Sequence, residues 1–492
     1  MEKEYNLTVS DIEQHAEALI VFHAQFAAFF RSATRSVAPH ALDYLQGQLL
    51  CESRRNMTQM SIHIVERNEQ ALSNFISTSP WEDEPLLETI GQQVVPLLTC
   101  ADDKATQALI LDESGVAKQG TASVGVARQY CGSLGKVDNC QVGVYLAYST
   151  TQEATLIDRR LFLPQEWVND PARCAQAGIP PHAQVFRTKA ELGLEMILRA
   201  REHDLPFDFV GMDAHYGEQP WLLSRLEAEG VLYMADIPSN TRVYVDTPTV
   251  GVPPRQGQRG RIPTKPRVLA GEAVQVRQVA TLEQVTWHVV KVRDIQRGEL
   301  WIRCAAMRVW RIENELPCAQ PVWLIIRQEM DSSDTKFSFS NASASIPLAT
   351  LAEWQSRRYW VERALQDGKG LAGLDEYQVI GWRGWHHHMT MVLLAMLFLL
   401  QLKHTLRPQA PMLTLQDVHE ILRVVMPRKE LSFEEVVELI RHKHLNRFRS
   451  RNSYLSKQKQ WFGQFFDEKV PFSEIGIMDN QVNDTPHTER RH

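Results

Sequence analysis

The sequence predicts an α/β protein with a strand-rich centre between helical ends and a β-rich insertion within the α/β core. Three observations carry this. Short apolar, β-branched runs recur between residues 106 and 237, and two of them stop on an aspartate. Residues 240–345 are rich in β-branched and aromatic residues with turn signals between them. Before residue 100 and after residue 346, apolar residues fall at three- and four-residue steps, the period of a helix. The 492 residues are enough for several cores.

From the N-terminus, helical periodicity runs through 12–30, 41–50 and 57–75. This pattern suits a small helical bundle better than a helix-turn-helix. TQALIL at 106–111 ends in Asp112, SVGVARQYC at 123–131 alternates, and VGVYLAY at 142–148 is again β-rich. Together they predict a three-stranded antiparallel meander whose first strand ends in carboxylates. A helix is expected at 189–202. PFDFVGM at 206–212 is a buried strand ending at Asp213, and VLYMADI at 231–237 is another. Further strands are expected at 285–292, 299–312, 322–327 and 335–340, with a hairpin loop at 330–334. Helices return at 348–367 and 386–401, and 414–425 and 432–444 are amphipathic. A loose tail closes the chain.

Hydrophobic residues make up 44% and charged residues 23%, which excludes a disordered, collagen-like or disulfide-stapled chain. The charge is 53 − 59 = −6, which argues against coating nucleic acid non-specifically. A local basic groove is still possible, because fields are screened within about 10 Å. Two basic segments stand out: 255–267, with Arg255, Arg259, Arg261, Lys265 and Arg267, and 441–459, with no acid. Phosphate neutralisation is the chemistry such segments serve. The cysteines are odd in number and lack a C-x-x-C, as free thiols of a reducing compartment do. The N-terminal MEKEYNLTVSDIEQ is no signal peptide, and the apolar run 389–402 is shorter than the roughly 20 residues a bilayer needs. A buried core helix, no membrane and a cytoplasmic location are expected.

Three acids stand out by placement. Asp112 and Asp213 end buried strands, where a carboxylate needs a cation or donors nearby. Glu362 lies in a helix, SRRYWVERALQDGKG, with Arg358 one turn before it and Lys369 about two turns after. If the two strands are neighbours and the helix packs across them, the acids form a cluster suited to hard cations such as Mg²⁺. An ordinary surface helix with an ion pair fits the helix spacing as well.

The segments LDESGVAKQGTASVGVARQYCGSLGKVDNCQVGVYLAY, LIDRRLFLPQEWVNDPARCAQAGIP, FDFVGMDAHYG and WVERALQDGKGLAGLDEYQVIGWRGWHHHMTMVLLAML resemble the DDE-type transposases of bacterial insertion sequences. The nearest group is the one typified by IS seven-oh-one, related to the IS-four transposases, and the resemblance runs in order from about residue 25 to about 405. It implies an RNase H-like core, a mixed sheet flanked by helices, interrupted by a β insertion before the third acid. The domain reading becomes a helical DNA-binding region at 1–100, the core at 101–240 and 346–405, the insertion at 241–345, a basic helical region at 406–470 and a tail at 471–492. The family's three metal-holding acids fall on Asp112, Asp213 and Glu362. Its signature of Tyr, two residues, Arg, three residues, Glu, six residues and Lys is matched by Arg358, Glu362 and Lys369, with Gln355 in the Tyr position. That departure puts a DNA-hairpin intermediate in doubt. The resemblance further implies two Mg²⁺ ions per site, with Mn²⁺ able to substitute. It also implies double-stranded DNA as partner (element ends and target), a homodimer on paired ends, and a bacterial, nucleoid-associated location. Rival readings are a catalytically silent DNA-binding relative and a nuclease that cuts without joining.

Other residues are expected to be structural. Strand alternation sends Glu113 to the face opposite Asp112, without a metal role. Asp158 is expected to pair with Arg159 or Arg160. Lys136 and Arg128 suit phosphate contact and plain solvation equally. His386, His387 and His388 are expected to pack at a helix start. Most of Trp287, Trp301, Trp310 and Trp323 should be core, with at most one free to stack on a base.

Overall fold

Strand β1 (Ala108–Ala117) is buried at each of its first four residues, as a strand covered on both faces must be. It sits within a large mixed sheet in the computed structural model, which describes residues 5–32, 35–51, 54–64, 69–99, 106–254, 263–295, 298–330, 334–376, 378–429 and 432–465. On one side β3 (Lys136–Ser149) pairs antiparallel with β1, and on the other β5 (Phe209–Met212) pairs parallel. β2 (Ala127–Cys131) and β4 (Ala154–Leu161) pair antiparallel with the first and second halves of β3, and β6 (Tyr233–Ile237) runs parallel to β5. The central order is β4-β3-β1-β5-β6.

The crossover to β5 carries the helix Lys189–Glu202, opened by a capping box between Thr188 and Glu191. This helix sits so close to the sheet that a Cβ at Gly193 would overlap the Leu111 side chain.

The expected meander is corrected: β1 pairs with β3, β2 pairs only with the start of β3, and the meander that forms is β1-β3-β4. Asp158, Arg159 and Arg160 of β4 hide the β pattern, yet the fold satisfies all three charges. Arg159 is held by Asp83 and Glu84, and Asp158 pairs with Arg160 at 2.7 Å. A second correction concerns β1, which does not end at Asp112. Its last parallel partners are Leu111 and Met212, but β3 goes on pairing with it to Ala117.

After β6 come β7 (Arg242–Tyr244), β8 (Thr249–Gly251), β9 (Arg267–Ala270), β10 (Ala273–Gln275), β11 (His288–Ile295), β12 (Gly298–Glu313), β13 (Leu316–Pro317), β14 (Val322–Glu329) and β15 (Thr335–Ser340). β15 docks antiparallel on β6, and β14, β12, β7 and β10 follow, so this β-rich segment extends the central sheet. β8 and β9 pair apart from it. The tryptophans correct their expectation: Trp301 is exposed, and Trp287, Trp310 and Trp323 are only half-buried. Arginines cover two of them, Arg303 over Trp287 and Arg308 over Trp323, each at 5.2 Å.

The expected helix 348–367 is two helices, Leu348–Ser356 and Tyr359–Ala372. At the break the Arg357 guanidinium sinks onto Glu353 and the carbonyls of Thr106 (3.0 Å) and Ser149 (3.4 Å). The helix Trp382–Leu406 is 25 residues long, well beyond its apolar run. Its length and composition would serve a membrane span, but 78% of its apolar window is buried in the protein. There it meets the N-terminal helices Ala38–Leu50, Glu69–Ser77 and Asp83–Thr99 as the core of a bundle. All of these elements belong to one unit, Met1–Arg428. A second unit, Lys429–His492, contains the helix Phe433–Phe465. The six cysteines within the described residues are free.

His386–His388 pack near the start of the 382–406 helix, as expected. His387 stacks on Trp81 at 3.8 Å, with its ring nitrogens 2.9 Å from the carbonyls of Ile76 and Trp81. His388 accepts from the Tyr44 hydroxyl (2.8 Å) and donates to the Gly373 carbonyl (3.0 Å), bonds that a neutral ring satisfies. Burial pushes His388 down from 6.5 to about 4. Between those values the unfolded chain binds a proton that the folded chain refuses, so stability is full above pH 6.5 and falls toward pH 4. At pH 5 this one residue should cost about 2 kcal/mol. Thermal melting should occur at lower temperature at pH 5 than at pH 7, and His388→Gln should narrow that gap. An unchanged gap in the variant would refute the assignment.

Candidate active site

The end of β5 places two acids side by side. Where β5 stops at Met212, Asp213 caps the helix Ala214–Gly217, its Oδ1 accepting from the His215 (3.0 Å) and Tyr216 (3.4 Å) amides. Asp112 follows Leu111, the partner of Met212, and accepts from the Glu113 amide at 2.7 Å. Burial, then the like charge of Asp213, pushes the Asp112 carboxyl up to about 7 against the opposing pull of that amide and of Arg358. Asp213 is also raised, by burial first and then by the Glu113 charge, while the Tyr216 amide resists. Glu113 is therefore not turned out of the site as alternation suggested. Its charge acts on Asp213, and its Oε1 meets Lys189 Nζ at 2.5 Å.

Arg358 is a cation whose charge acts on both members of this pair. It stands at the helix break, its Nε 3.2 Å from Asp236 Oδ2 and one terminal nitrogen 2.5 Å from Glu362 Oε1. Burial works against its charge, but Glu362, Asp236 and Asp112 together outweigh that and keep it cationic. Glu362 itself is half-exposed and faces Arg358. The site thus brings Asp112 and Asp213 together, and Glu362 reaches them through Arg358. Among the described residues, no group of three His, Cys, Asp or Glu side chains is arranged to hold a metal ion.

Asp236 was not anticipated. It lies in β6 opposite Ser338 of β15, whose hydroxyl donates to Asp236 Oδ1 at 2.5 Å. Gln355 in turn donates to Ser338 Oγ at 2.7 Å. The residue in the signature's Tyr position is thus a buried link in a chain from Gln355 through Ser338, Asp236 and Arg358 to Glu362. Asp236 carries the same signal as Asp112 and Asp213, an acid toward the end of an apolar strand run. Tyr359 is close to the signature's Tyr position but out of register with it. It is 45% exposed beside Arg358, with the Arg293 guanidinium 4.0 Å over its ring.

Of the remaining candidates, Lys369 lies in the last turn of the 359–372 helix and forms no ion pair among the described residues. Lys265 and Arg267 are exposed, Arg267 at the start of β9. Arg255, Arg259 and Arg261 lie outside the described residues. The donors at the acid pair are hard carboxylate oxygens, raised by burial first and by neighbouring negative charge after it. In that respect they fit a divalent cation.

The two acids lie side by side in a mixed sheet where the parallel pairing of β1 and β5 stops, and sequence comparison supplies the family. The chain belongs to the DDE superfamily endonucleases, whose family model matches residues 25–299, more than half of it. That match takes in Asp112 and Asp213 and stops short of Glu362. The chain is 28% identical over 241 residues to a probable transposase for insertion sequence element IS701 from Microchaete diplosiphon. That stretch is 47% of this chain and 57% of the relative, so less than two thirds of the relative is spanned. Among solved structures, a piggyBac transposase synaptic complex with hairpin DNA aligns over 86% of this chain and 85% of that one, at 11% identity and a TM-score of 0.30, a likeness too slight to argue from.

The Asp236–Arg358 pair yields a prediction. Removing one partner of a largely buried ion pair strands the other. Asp236→Asn should lower unfolding stability by about 1–3 kcal/mol in urea. A double-mutant cycle with Arg358→Ala should return a coupling energy clearly above zero, and a cycle that closes additively would sink the pairing.

Proposed function

We propose that this chain is an insertion-sequence transposase that cuts DNA at element ends and joins the freed 3′-OH to target DNA. The observation that carries the reading is the Asp112–Asp213 pair, two half-buried carboxylates beside each other where β5 ends, both raised first by burial, with Asp213's charge adding to the shift of Asp112. The central order β4-β3-β1-β5-β6, with two antiparallel steps followed by two parallel ones, supports an RNase H-like core with the β-rich segment inserted before the third acid. Similarity to the IS701 transposase supports the choice of substrate.

In this reading Asp112, Asp213 and Glu362 would hold Mg²⁺, or Mn²⁺ in its place. Two such ions, when bound, supply activation of the attacking oxygen and stabilisation of the leaving one. The chain's own residues position and neutralise. Arg358 orients Glu362 and offers its guanidinium to a phosphate, and Lys369 presents a second cation further along the same helix. Lys265 and Arg267, with Arg255, Arg259 and Arg261, would follow the DNA backbone, each contact strengthening binding at low salt. Water first attacks the phosphodiester at the element end, and the resulting 3′-OH then attacks target DNA in line. The protein need only hold these groups in place, so no covalent protein–DNA intermediate is required. A homodimer on paired ends, working in the cytoplasm at the nucleoid, completes the reading.

One observation favours a second reading, a silent DNA-binding relative: Glu362 is ion-paired with Arg358, and among the described residues no three acids are grouped to hold a metal ion. An excision assay separates the two. With the gene's native flanks around a marker and protein supplied in trans, repaired donor junctions should form with wild type and fall at least about 100-fold with Glu362→Gln. Junctions from both proteins would remove Glu362 from the site. Junctions from neither, with purified protein still binding the ends, would leave the silent reading. A strand-transfer assay on pre-cut ends tells a transposase from a nuclease, because only the former yields joined product.

A further inference from the structure

We propose that a cavity at the β4 edge of the sheet is a binding site for a guanine base. Its volume is about 240 Å³, a little under the roughly 300–1,000 Å³ of drug-sized sites, so it suits one compact ring system. The end of β4 (Arg160), the helix Lys189–Glu202 (Glu195) and the start of the 382–406 helix (Trp382, His386) line it. Arg160 is the ladder partner of Val144, and Val144 of Glu113 in β1. Two strand spacings, about 10 Å, thus separate the cavity wall from the strand that carries Asp112.

Several polar groups of the cavity have bonding capacity left over. His386 is only 8% exposed, and its Nδ1 lies 2.9 Å from the Trp382 carbonyl. A carbonyl can only accept, so Nδ1 carries the proton and Nε2 is an acceptor without a partner among the described residues. Burial holds His386 down at about 4, so the ring is neutral near pH 7. Arg160 gives Nη1 to Asp158 (2.7 Å) and to the Arg159 carbonyl (2.8 Å), and no described residue meets its Nη2. Glu195 stands 3.6 Å from Arg160 Nε and 3.5 Å from Arg187, too far for full hydrogen bonds. Trp382, half-buried with the His386 ring at 4.1 Å, adds an aromatic wall.

This set of groups selects the ligand. The lining acids Glu84 and Glu195 balance Arg160 and Arg187, so a free anion meets no net positive charge. An uncharged flat ring with both donors and acceptors fits, because it can stack on Trp382 and meet carboxylate and guanidinium together. Among the nucleobases, guanine has two adjacent donors, N1–H and the N2 amino group, which a single carboxylate such as Glu195 can accept together. Its O6 and N7 are acceptors for arginine. Adenine would turn the N1 lone pair toward the Glu195 carboxylate, and a pyrimidine carbonyl or ring nitrogen would do the same.

The inference goes beyond the cleavage reading and does not rest on it. Calorimetric titration of the full chain, without metal, with guanosine 5′-monophosphate and adenosine 5′-monophosphate tests it. The two nucleotides share sugar and phosphate, so their difference reports the base. The guanine nucleotide should bind at least about tenfold more tightly. Glu195→Gln should remove most of that preference, and Trp382→Ala should weaken the guanine nucleotide at least about fivefold, both with unchanged circular dichroism. Oligothymidylates with one central guanine or adenine then identify the source. A guanine preference carried by the oligonucleotide assigns the site to an unstacked base of a DNA strand, and one confined to the nucleotide assigns it to a free ligand; either supports the site. Equal affinity for guanine and adenine in both pairs of probes would overturn the proposal, as would a preference that Glu195→Gln leaves intact. Binding is read without cleavage, so these outcomes leave the excision result untouched.

Discussion

The candidate site depends on a mismatch of strand lengths: β5 stops at Met212 and β1 does not. Up to Leu111 the two strands are partners, and the next residue on each is an aspartate. Asp112 is held in register by β3, and Asp213 is turned by the short helix that it caps. Neither can move away from the other without breaking backbone hydrogen bonds, so like charges are held together in a partly dry setting. Such an arrangement persists only when the rest of the fold keeps it in place, and it creates a standing demand for positive charge. Arg358 answers that demand in part. It does so from a helix break, where its guanidinium can reach Glu362, Asp236 and the neighbourhood of Asp112 at once.

Much of this was legible in the sequence, and the failures share a physical cause. An apolar strand run closing on an acid picked out Asp112 and Asp213, because burial against charge is a strong local signal. Asp236 carries the same signal but lies one residue before the end of its run, and its significance comes from Ser338, more than a hundred residues away. β4 was missed because its charges imitate a loop, and the partners that allow those charges to be buried, Asp83 and Glu84, lie on a distant helix. The helix break at Arg357 and Arg358 has no glycine or proline to announce it. It follows from a tertiary demand, the burial of the Arg357 guanidinium on carbonyls of the sheet. The four tryptophans show the converse. Their apolar bulk predicted a core, but stacked arginines can half-cover a ring without burying it.

The scaffold beneath the site is ordered by the 382–406 helix. Its start is fixed by His387 on Trp81 and by His388 between Tyr44 and Gly373, and the Gly373 carbonyl belongs to the end of the very helix that carries Glu362. The Arg159 guanidinium, buried in β4, ties the sheet to Asp83 and Glu84 and to Thr390 of the long helix. N-terminal bundle, sheet and acid-bearing helix therefore share polar anchors as well as an apolar core. A substitution in any one of them is felt by the others.

The docking of β15 on β6 has a consequence for how the molecule comes into being. Asp112 and Asp213 belong to strands made early in synthesis, whereas Glu362 follows a long β-rich segment that must find its edge on β6 before the 359–372 helix can be placed. Pairings so distant in the chain form late, because loop closure comes before the contacts that reward it. A nascent chain that has already made Asp112 and Asp213 still lacks Glu362. On the proposed reading, the site is completed only as the ribosome finishes most of the chain.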